Sequence, residues 1–240
     1  MRKPVFRSVI SSLTIASASL AARPAAASFI NYSSREINVK IVYVGGASSK
    51  TATENLQYVY EKTSPEAKGK MIRLATGGDD STIFFDFLPL ELGEIRGFKT
   101  RFHLYTVDGG ASGAAARTLI LKGVDGVVFV ADCDPTRMKA NVDALVSLQR
   151  DLQALGYDYA KIPLTVELEG TSKPGAVPAE TVKQMLRLGE RPAFESDVSA
   201  GTGVFDTLKS IAKQVLMELK KGSDAAPSKS APKKKPAKPK

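Results

Sequence analysis

The sequence is poor in the residues that build disulfides and metal sites. Its 240 residues include one cysteine, Cys133, one histidine, His103, and no tryptophan. A lone cysteine excludes a disulfide framework and a zinc cluster built on cysteines, and a lone histidine excludes a site that needs two imidazoles. Because no stretch approaches 18 apolar residues, the sequence predicts no ordinary transmembrane helix. What is present, 43% hydrophobic and 25% charged residues, is typical of a globular protein.

The net charge of the middle of the chain is small, although the whole chain carries a formal net charge of +9. Residues 1–27 contribute +4 and residues 220–240 contribute +7, which leaves −2 for the 192 residues between them. The basic character therefore belongs to the two ends, and we expect no specific recognition of DNA.

The N-terminal end, residues 1–27, partly resembles a secretory signal. It begins with basic residues, continues with a moderately apolar stretch from Ser8 to Ala22, and closes with Ala25-Ala26-Ala27. Serine and threonine interrupt that stretch, so three interpretations stay open: an export signal, a flexible extension, or a start codon assigned too early. We predict a flexible extension on a cytoplasmic protein, with membrane association and export as alternatives.

The C-terminal end, from Gly222 to Lys240, contains mainly lysine, proline, alanine and serine. It has no hydrophobic residue larger than alanine, so it cannot bury enough apolar surface to offset the entropy lost on ordering. We predict a disordered, solvated tail. The alternative is a weak electrostatic contact with an anionic membrane, a nucleic acid or an acidic protein.

The body, from Ser28 to Lys221, alternates strand and helix patterns. Such alternation predicts an α/β fold with a mostly parallel sheet, one antiparallel strand pair at its edge, and helices on both faces. Ligands of such folds bind beyond the carboxyl ends of the strands. The predicted strands cover Ile37–Val44, Thr82–Leu88, Phe98–Val107, Val124–Ala131 and Ile162–Leu168, and the predicted helices cover Glu54–Thr63, Pro135–Leu155, Glu180–Leu188 and Val204–Leu219.

The segment from Gly45 to Thr51, between the first strand and the first helix, occupies the place of a phosphate-binding loop. Such a loop surrounds phosphates with backbone N–H groups and adds a lysine and an Mg²⁺-binding threonine. Val44 and Ser49 stand where the consensus has glycine, so a plain Gly/Ser turn is the alternative. The predicted phosphate contacts are Gly45, Gly46, Ser48, Ser49, Lys50 and Thr51, and Thr51 is also a candidate Mg²⁺ ligand.

Four long stretches carry a resemblance to a known family. They read SFINYSSREINVKIVYVG, NLQYVYEKTSPEAKGKMIRLAT, FFDFLPLELGEIRGFKTRFHLYTV and LILKGVDGVVFVAD. They resemble the MglA-type bacterial small GTPases, Ras-like proteins of cell polarity and gliding motility, from about Ser28 to Lys221. The resemblance implies a Ras-like fold, a GTP/GDP cycle with Mg²⁺, and switch loops that bind partners, including a roadblock-fold regulator.

The sequence departs from the family at the two switches. Ser81 stands where the family has an arginine, which would neutralise charge in the transition state, and the following Thr82 is kept as a possible Mg²⁺ ligand. In the second switch, Gly109 is kept as a phosphate contact, but Gly110 replaces the glutamine that orients the attacking water. The spacing around Lys50 also differs from the family. The resemblance therefore gives no recognisable catalytic residue.

The loop that reads guanine departs as well. Ras-like proteins use Asn-Lys-x-Asp, in which the aspartate accepts two hydrogen bonds from the base. Here Glu169, Gly170 and Ser172 stand in place of the asparagine, lysine and aspartate. A site built to hydrogen-bond a base loses affinity when its partners are removed. We therefore predict a degenerate member of the family, a pseudo-GTPase that works by binding proteins. The alternative is a slow but genuine GTPase switch that uses GTP, GDP and Mg²⁺.

Overall fold

The computed structural model describes residues 29–46, 49–77, 80–87, 94–95, 97–110 and 113–224. The predictions for residues 1–27 and for most of the C-terminal tail lie outside these residues. The strands are β1 (Phe29–Asn31), β2 (Glu36–Gly45), β3 (Ile72–Gly77), β4 (Asp80–Phe87), β5 (Glu94–Ile95), β6 (Phe98–Asp108), β7 (Gly126–Asp132), β8 (Leu164–Glu169) and β9 (Ala193–Ser196). The helices are α1 (Ser49–Lys62), α2 (Ala114–Leu121), α3 (Met138–Ala154), α4 (Ala179–Met185) and α5 (Val204–Asp224).

The strands form a single sheet in the order β3-β4-β6-β2-β7-β8-β9, with β1 added to β2 and β5 added to β6. The pairs from β6 to β9 along this order are parallel, whereas β4 is antiparallel to both β3 and β6. The described part of the chain therefore confirms the predicted α/β fold. The antiparallel strand is β4, and the strand at the edge beyond it, β3, was not predicted from the sequence.

Two hydrophobic cores cover the two faces of the sheet. One core packs α2, α3 and α4 against residues such as Val44, Phe129 and Val166. The other packs α1 and α5 against residues such as Tyr43 and Val130. The continuous apolar pattern of β7 follows from this arrangement, because a central strand covered on both faces needs apolar side chains on each. Among the described helices, none combines the length and apolar character that crossing a bilayer requires.

Several element boundaries differ from the sequence predictions. Helix α1 begins at Ser49, whereas the predicted helix began at Glu54. The prediction missed the first turn because its residues are polar and show no apolar periodicity. Helix α5 continues to Asp224, past Lys221, where the predicted domain ended. Helix α2 was missed entirely. Its start at Ala114 is a run of alanine, the strongest helix former, so this signal was available in the sequence.

Candidate functional site

The candidate site lies at one edge of the sheet, where the parallel strands end. Gly45 pairs with Asp108, and Glu169 pairs with both Asp132 and Ser196, so the ends of β2, β6, β7, β8 and β9 meet there. The start of β4 reaches the same edge, because β4 runs antiparallel to β6 and Phe84 pairs with Tyr105. The topology thus brings the predicted phosphate, switch and base segments together, including Ser81 and Thr82 at the start of β4.

Gly46 sits in a space that has no room for a side chain. Its N–H donates to the Val130 carbonyl at 2.7 Å, and a Cβ at this position would overlap the Asn141 Oδ1 atom. Asn141 is fully buried, and its Nδ2 donates to the Asp132 carbonyl at 2.8 Å. Gly46, the first residue after β2, is therefore held tightly against the end of β7.

Lys50 and Thr51 occupy the first turn of α1, which begins at Ser49. The Lys50 side chain is 79% exposed, and its Nζ atom lies 3.7 Å from Glu54 Oε1 one turn along the helix. An exposed pair of this kind contributes little to stability. Lys50, the predicted phosphate contact, therefore directs its charge toward solvent. Ser48 lies outside the described residues.

Gly109 is bonded directly to the phosphate-side loop. Its N–H, which the resemblance assigns to phosphate, donates to the Gly45 carbonyl at 2.9 Å. A Cβ on Gly109 would overlap the Gly45 carbonyl oxygen and would lie 2.9 Å from the Ala144 Cβ. Gly109, the first residue after β6, therefore lies against the end of β2.

Arg117, on α2, fixes the loop after β6, and this role was not predicted from the sequence. Its side chain is 2% exposed, and its Nε donates to Asp151 Oδ2 at 2.7 Å. Its Nη1 donates to the Asp108 carbonyl at 3.1 Å and to the Gly110 carbonyl at 2.8 Å. The arginine within the apolar run RTLIL was the available signal. Gly110 stands in the place of the family's glutamine, and Arg117 holds it through its backbone carbonyl.

Glu169, in the place of the family's asparagine, is turned into the protein. Its carboxylate accepts from Ser196 Oγ at 2.8 Å and from the Val198 N–H at 3.2 Å. Burial raises the pKa of Glu169, and these hydrogen bonds oppose the increase. The predicted base-binding residue therefore joins the end of β8 to the loop after β9.

Ser172 and Gly170 complete this connection. Ser172 Oγ donates to Asp197 Oδ2 at 2.7 Å, while Asp197 Oδ1 accepts from the Ser199 N–H at 3.0 Å and from the Ala200 N–H at 3.3 Å. Bonds from the Ser199 and Ser172 hydroxyls hold the pKa of Asp197 at about 2. Gly170 has φ +81°, and the Lys173 side chain packs over it. The two loops are thus bonded to each other through their polar groups.

The remaining chemistry of the site is limited. Among the described residues, no group of three or more histidine, cysteine or carboxylate side chains could hold a metal ion. Cys133 is buried, and burial raises the pKa of its thiol to about 12, so it is not a nucleophile at neutral pH. The edge therefore offers backbone groups, short polar side chains and internally bonded carboxylates.

Comparison with known proteins identifies the family. No family model matches the chain. The chain is 57% identical over 196 residues to the mutual gliding-motility protein MglA of Myxococcus xanthus (strain DK1622), which covers 81% of this chain and 99% of that protein. Together with the Ras-like sheet order and the arrangement of loops at its edge, this similarity shows that the chain belongs to the MglA family of small Ras-like GTPases.

Proposed function

We propose that this protein acts in cell polarity or gliding motility as a pseudo-GTPase, a binding module that has the family fold without its nucleotide cycle. The similarity to a gliding-motility protein supports the process. The observation that carries the loss of the cycle is the Ser172–Asp197 hydrogen bond of 2.7 Å. It joins two loops to each other at the position where the family reads guanine.

The base side does not fit guanine. Reading guanine requires a carboxylate at position 172, and the serine there donates a hydrogen bond where an acceptor is needed. Glu169 cannot take over this role, because its oxygens already accept from Ser196 and Val198 within the protein. Asp197 likewise accepts from neighbouring hydroxyl and N–H groups. Opening the Glu169–Ser196 bond for a base would leave two buried polar groups without that partner, whereas the bonds of Asp197 are exposed to solvent.

The phosphate side supports the same proposal. Backbone N–H groups and a lysine would have to face a phosphate, but the Gly109 N–H donates to Gly45 and the Lys50 ammonium lies near Glu54. Ser81 and Gly110 provide neither the charge nor the amide that the family uses in hydrolysis. A phosphate that binds the Gly109 N–H would first have to break its bond to the Gly45 carbonyl.

The second candidate function is a slow but genuine GTPase switch. The geometry that favours it is the passage from β2 through Gly45 and Gly46 into α1, with Lys50 and Thr51 in the first helical turn. If nucleotide binds, these residues would contact phosphate, and Thr51 and Thr82 would be the Mg²⁺ ligands. This candidate differs from the first in two measurable properties, selective binding of guanine nucleotides and hydrolysis of GTP above background.

Nucleotide binding decides between the two candidates. We expect native purification to yield protein without GTP or GDP, and we expect both GTP and ATP to bind more weakly than micromolar. A ligand at about 100 times its dissociation constant adds about 2.7 kcal/mol of stability, which thermal denaturation in millimolar nucleotide would detect. We also expect GTP hydrolysis to stay at the background rate, because Ser81 and Gly110 lack the required groups.

An active Ras-like GTPase, treated in parallel, serves as the positive control for these measurements, and Gly110→Gln is the matched variant. Restoring the glutamine alone should leave hydrolysis at background, because Ser81 and the phosphate-side loop are unchanged. A rise in melting temperature with GTP and Mg²⁺ that ATP does not produce would favour the switch instead.

We further propose that the protein binds a roadblock-fold regulator or another polarity protein, and that it does so without added nucleotide. The surface would be β4 and its neighbourhood, since the family's residue order is kept from Phe84 to Pro89. Strand register guides the choice of variants. Phe84 pairs with the half-buried Tyr105, whereas Phe85 pairs with Leu104, which is fully buried.

A pull-down with purified roadblock-fold proteins tests this surface. The change Phe84→Lys should weaken binding and leave the melting temperature within a few degrees, because its register partner is half-buried. Val146→Lys, at an exposed apolar residue of α3, is the control and should bind normally. Recovery of partners only in the presence of GTP would contradict binding without nucleotide.

The cytoplasm is the proposed location, and the basic tail is a proposed electrostatic contact for an anionic membrane or a nucleic acid. Support for the tail comes from its charge, because residues 220–240 carry eight lysines and one aspartate. Such attraction is sequence-independent and weakens as salt rises.

A further inference from the structure

The face of β8 that packs against α5, and that Asn55 of α1 reaches, is polar, although it is buried. Three alternate residues of the strand point to this face and are at most 5% exposed, namely Thr165, Glu167 and Glu169. The residues between them belong to the other hydrophobic core, namely Leu164, Val166 and Leu168. Thr165 and Glu169 each have hydrogen-bond partners with normal geometry. Glu167 differs from both.

Glu167 lies in the core with one of its two oxygens unsatisfied. Asn55 Nδ2, on α1, donates to Glu167 Oε1. Among the described residues, neither Glu167 Oε2 nor Asn55 Oδ1 has a hydrogen-bond partner. In the same part of the structure, the buried hydroxyl groups of Tyr43, on β2, and Thr207, on α5, also have no bonded partner within the described chain. Both Glu167 and Asn55 have no exposed surface.

The single Asn55–Glu167 bond leaves two acceptor oxygens without a donor. If Glu167 were ionised, Oε2 and Asn55 Oδ1 would both be bare acceptors in an apolar core, which is costly for a charged group. A proton on Oε2 removes the charge and makes that oxygen a donor, for which Asn55 Oδ1 is an available acceptor. In that arrangement the acid and the amide would each supply one donor and one acceptor to the other.

The groups around Glu167 do not stabilise its charged form enough to keep the carboxyl ionised. The titratable groups that act on Glu167 are Glu169, on the same strand, and Tyr43, on β2. The neighbouring residues of α5 and β9 are the uncharged Thr207 and Ser196, whose hydroxyls would favour the charged form as donors. Within the described chain the Thr207 hydroxyl makes no hydrogen bond, and the Ser196 hydroxyl donates to Glu169 instead. Burial is the largest effect and raises the pKa of Glu167 to about 7.

We propose that Glu167 is a neutral carboxylic acid in the folded protein, and that its reciprocal hydrogen bonds with Asn55 hold helix α1 against strand β8. Loss of the proton as pH rises breaks one of the two bonds and leaves a buried charge. Helix α1 begins with the predicted phosphate-side residues, and β8 ends at Glu169. Proton loss at this pair therefore loosens the contact between the two halves of the candidate site, whether or not a nucleotide binds.

The sign of the pH dependence follows from the raised pKa. The folded protein binds the proton of Glu167 more tightly than the unfolded chain, in which this glutamate has the ordinary pKa of 4.5. The contribution of Glu167 to the free energy of unfolding is therefore fully present below pH 4.5 and is lost as pH rises toward about 7. Between about pH 5 and about pH 8, the unfolding equilibrium constant of the wild type should increase roughly 70-fold from this group.

Urea unfolding of the full chain at several pH values provides the first test. Glu167→Gln keeps the shape of the neutral acid and cannot ionise, so its contribution should not vary with pH. We expect this variant to be about 100-fold or more harder to unfold than wild type near pH 8, and only a few-fold harder near pH 5. Glu195→Gln, the same change at an exposed position of β9, is the control and should keep the wild-type slope.

Two measurements on the wild type keep the proposal testable if Glu167→Gln does not fold. Infrared spectroscopy should show the carbonyl band of a buried protonated carboxyl near pH 6, and this band should disappear above about pH 8. Hydrogen exchange of the α1 amides should accelerate over the same range by more than the intrinsic effect of pH. Flat wild-type stability from pH 5 to pH 8, or a Glu167→Gln variant no more stable than wild type near pH 8, would overturn the proposal.

Discussion

Replacing Arg117 with alanine is expected to lower the free energy of unfolding by about 3–5 kcal/mol. The guanidinium of Arg117 is buried and donates to Asp151 and to two backbone carbonyls after β6. Removing it leaves Asp151, whose side chain is only 19% exposed, without its cation, and leaves those carbonyls without a side-chain donor. Urea unfolding, followed by circular dichroism, would measure the loss.

A second variant at position 117 separates the charge of Arg117 from its volume. Arg117→Met keeps most of the packing, so its loss of stability should be smaller than that of alanine, since an apolar replacement fills the space. Arg101→Ala is the matched control. It removes a partly exposed partner of Glu36 and should cost less than about 1 kcal/mol. Equal losses at positions 117 and 101 would show that the buried network contributes no more than a surface ion pair.

Replacing Gly109 with alanine is expected to cost about 3 kcal/mol, the upper end of the range for overpacking. The new Cβ would overlap the Gly45 carbonyl oxygen and crowd Ala144, so residue 109 would have to move away from the end of β2. Thermal or urea denaturation would measure the cost. Hydrogen exchange at the amide of residue 109 would report separately on the bond to Gly45.

Gly175→Ala is the matched control for this substitution. Gly175 has φ +78°, and no atom of the described residues lies within 4 Å of the place that a Cβ would take, so alanine there meets backbone strain and no overlap. We expect a cost of about 1 kcal/mol at that position. If alanine is tolerated equally well at residues 109 and 175, the close contact between residue 109 and the end of β2 is not needed for stability.

The sequence predicts the parts of the fold whose side chains repeat with the period of the backbone. The apolar run of β7 and the amphipathic pattern of α3 have this property, and both elements form where they were predicted. Strand β3 and helix α2 were missed for different reasons. The pattern of Ile72–Gly77 is too mixed to indicate a strand, and the start of α2 consists of small residues that give no apolar stripe.

The candidate site was predictable in its location and only partly in its contacts. Strand ends at a common edge follow from topology, so residues 45–51, 109–110 and 169–172 were expected near one another. The partners were not predictable, because they come from distant segments. Nothing near Ser172 in the sequence indicates a bond to Asp197, and nothing near Asp108 indicates Arg117 and Asp151.

The polar face of β8 also limits how this protein can change during evolution. Gln214 Nε2, on α5, donates to Thr165 Oγ1 at 2.7 Å, and the same hydroxyl lies 3.2 Å from Ser210 Oγ. A single apolar substitution at the buried Thr165 would remove the hydroxyl that Gln214 and Ser210 share, and would leave these half-buried groups only the 3.4 Å bond between themselves. Viable lineages would therefore change strand and helix together, whereas the apolar face of the same strand can exchange one hydrophobic residue at a time.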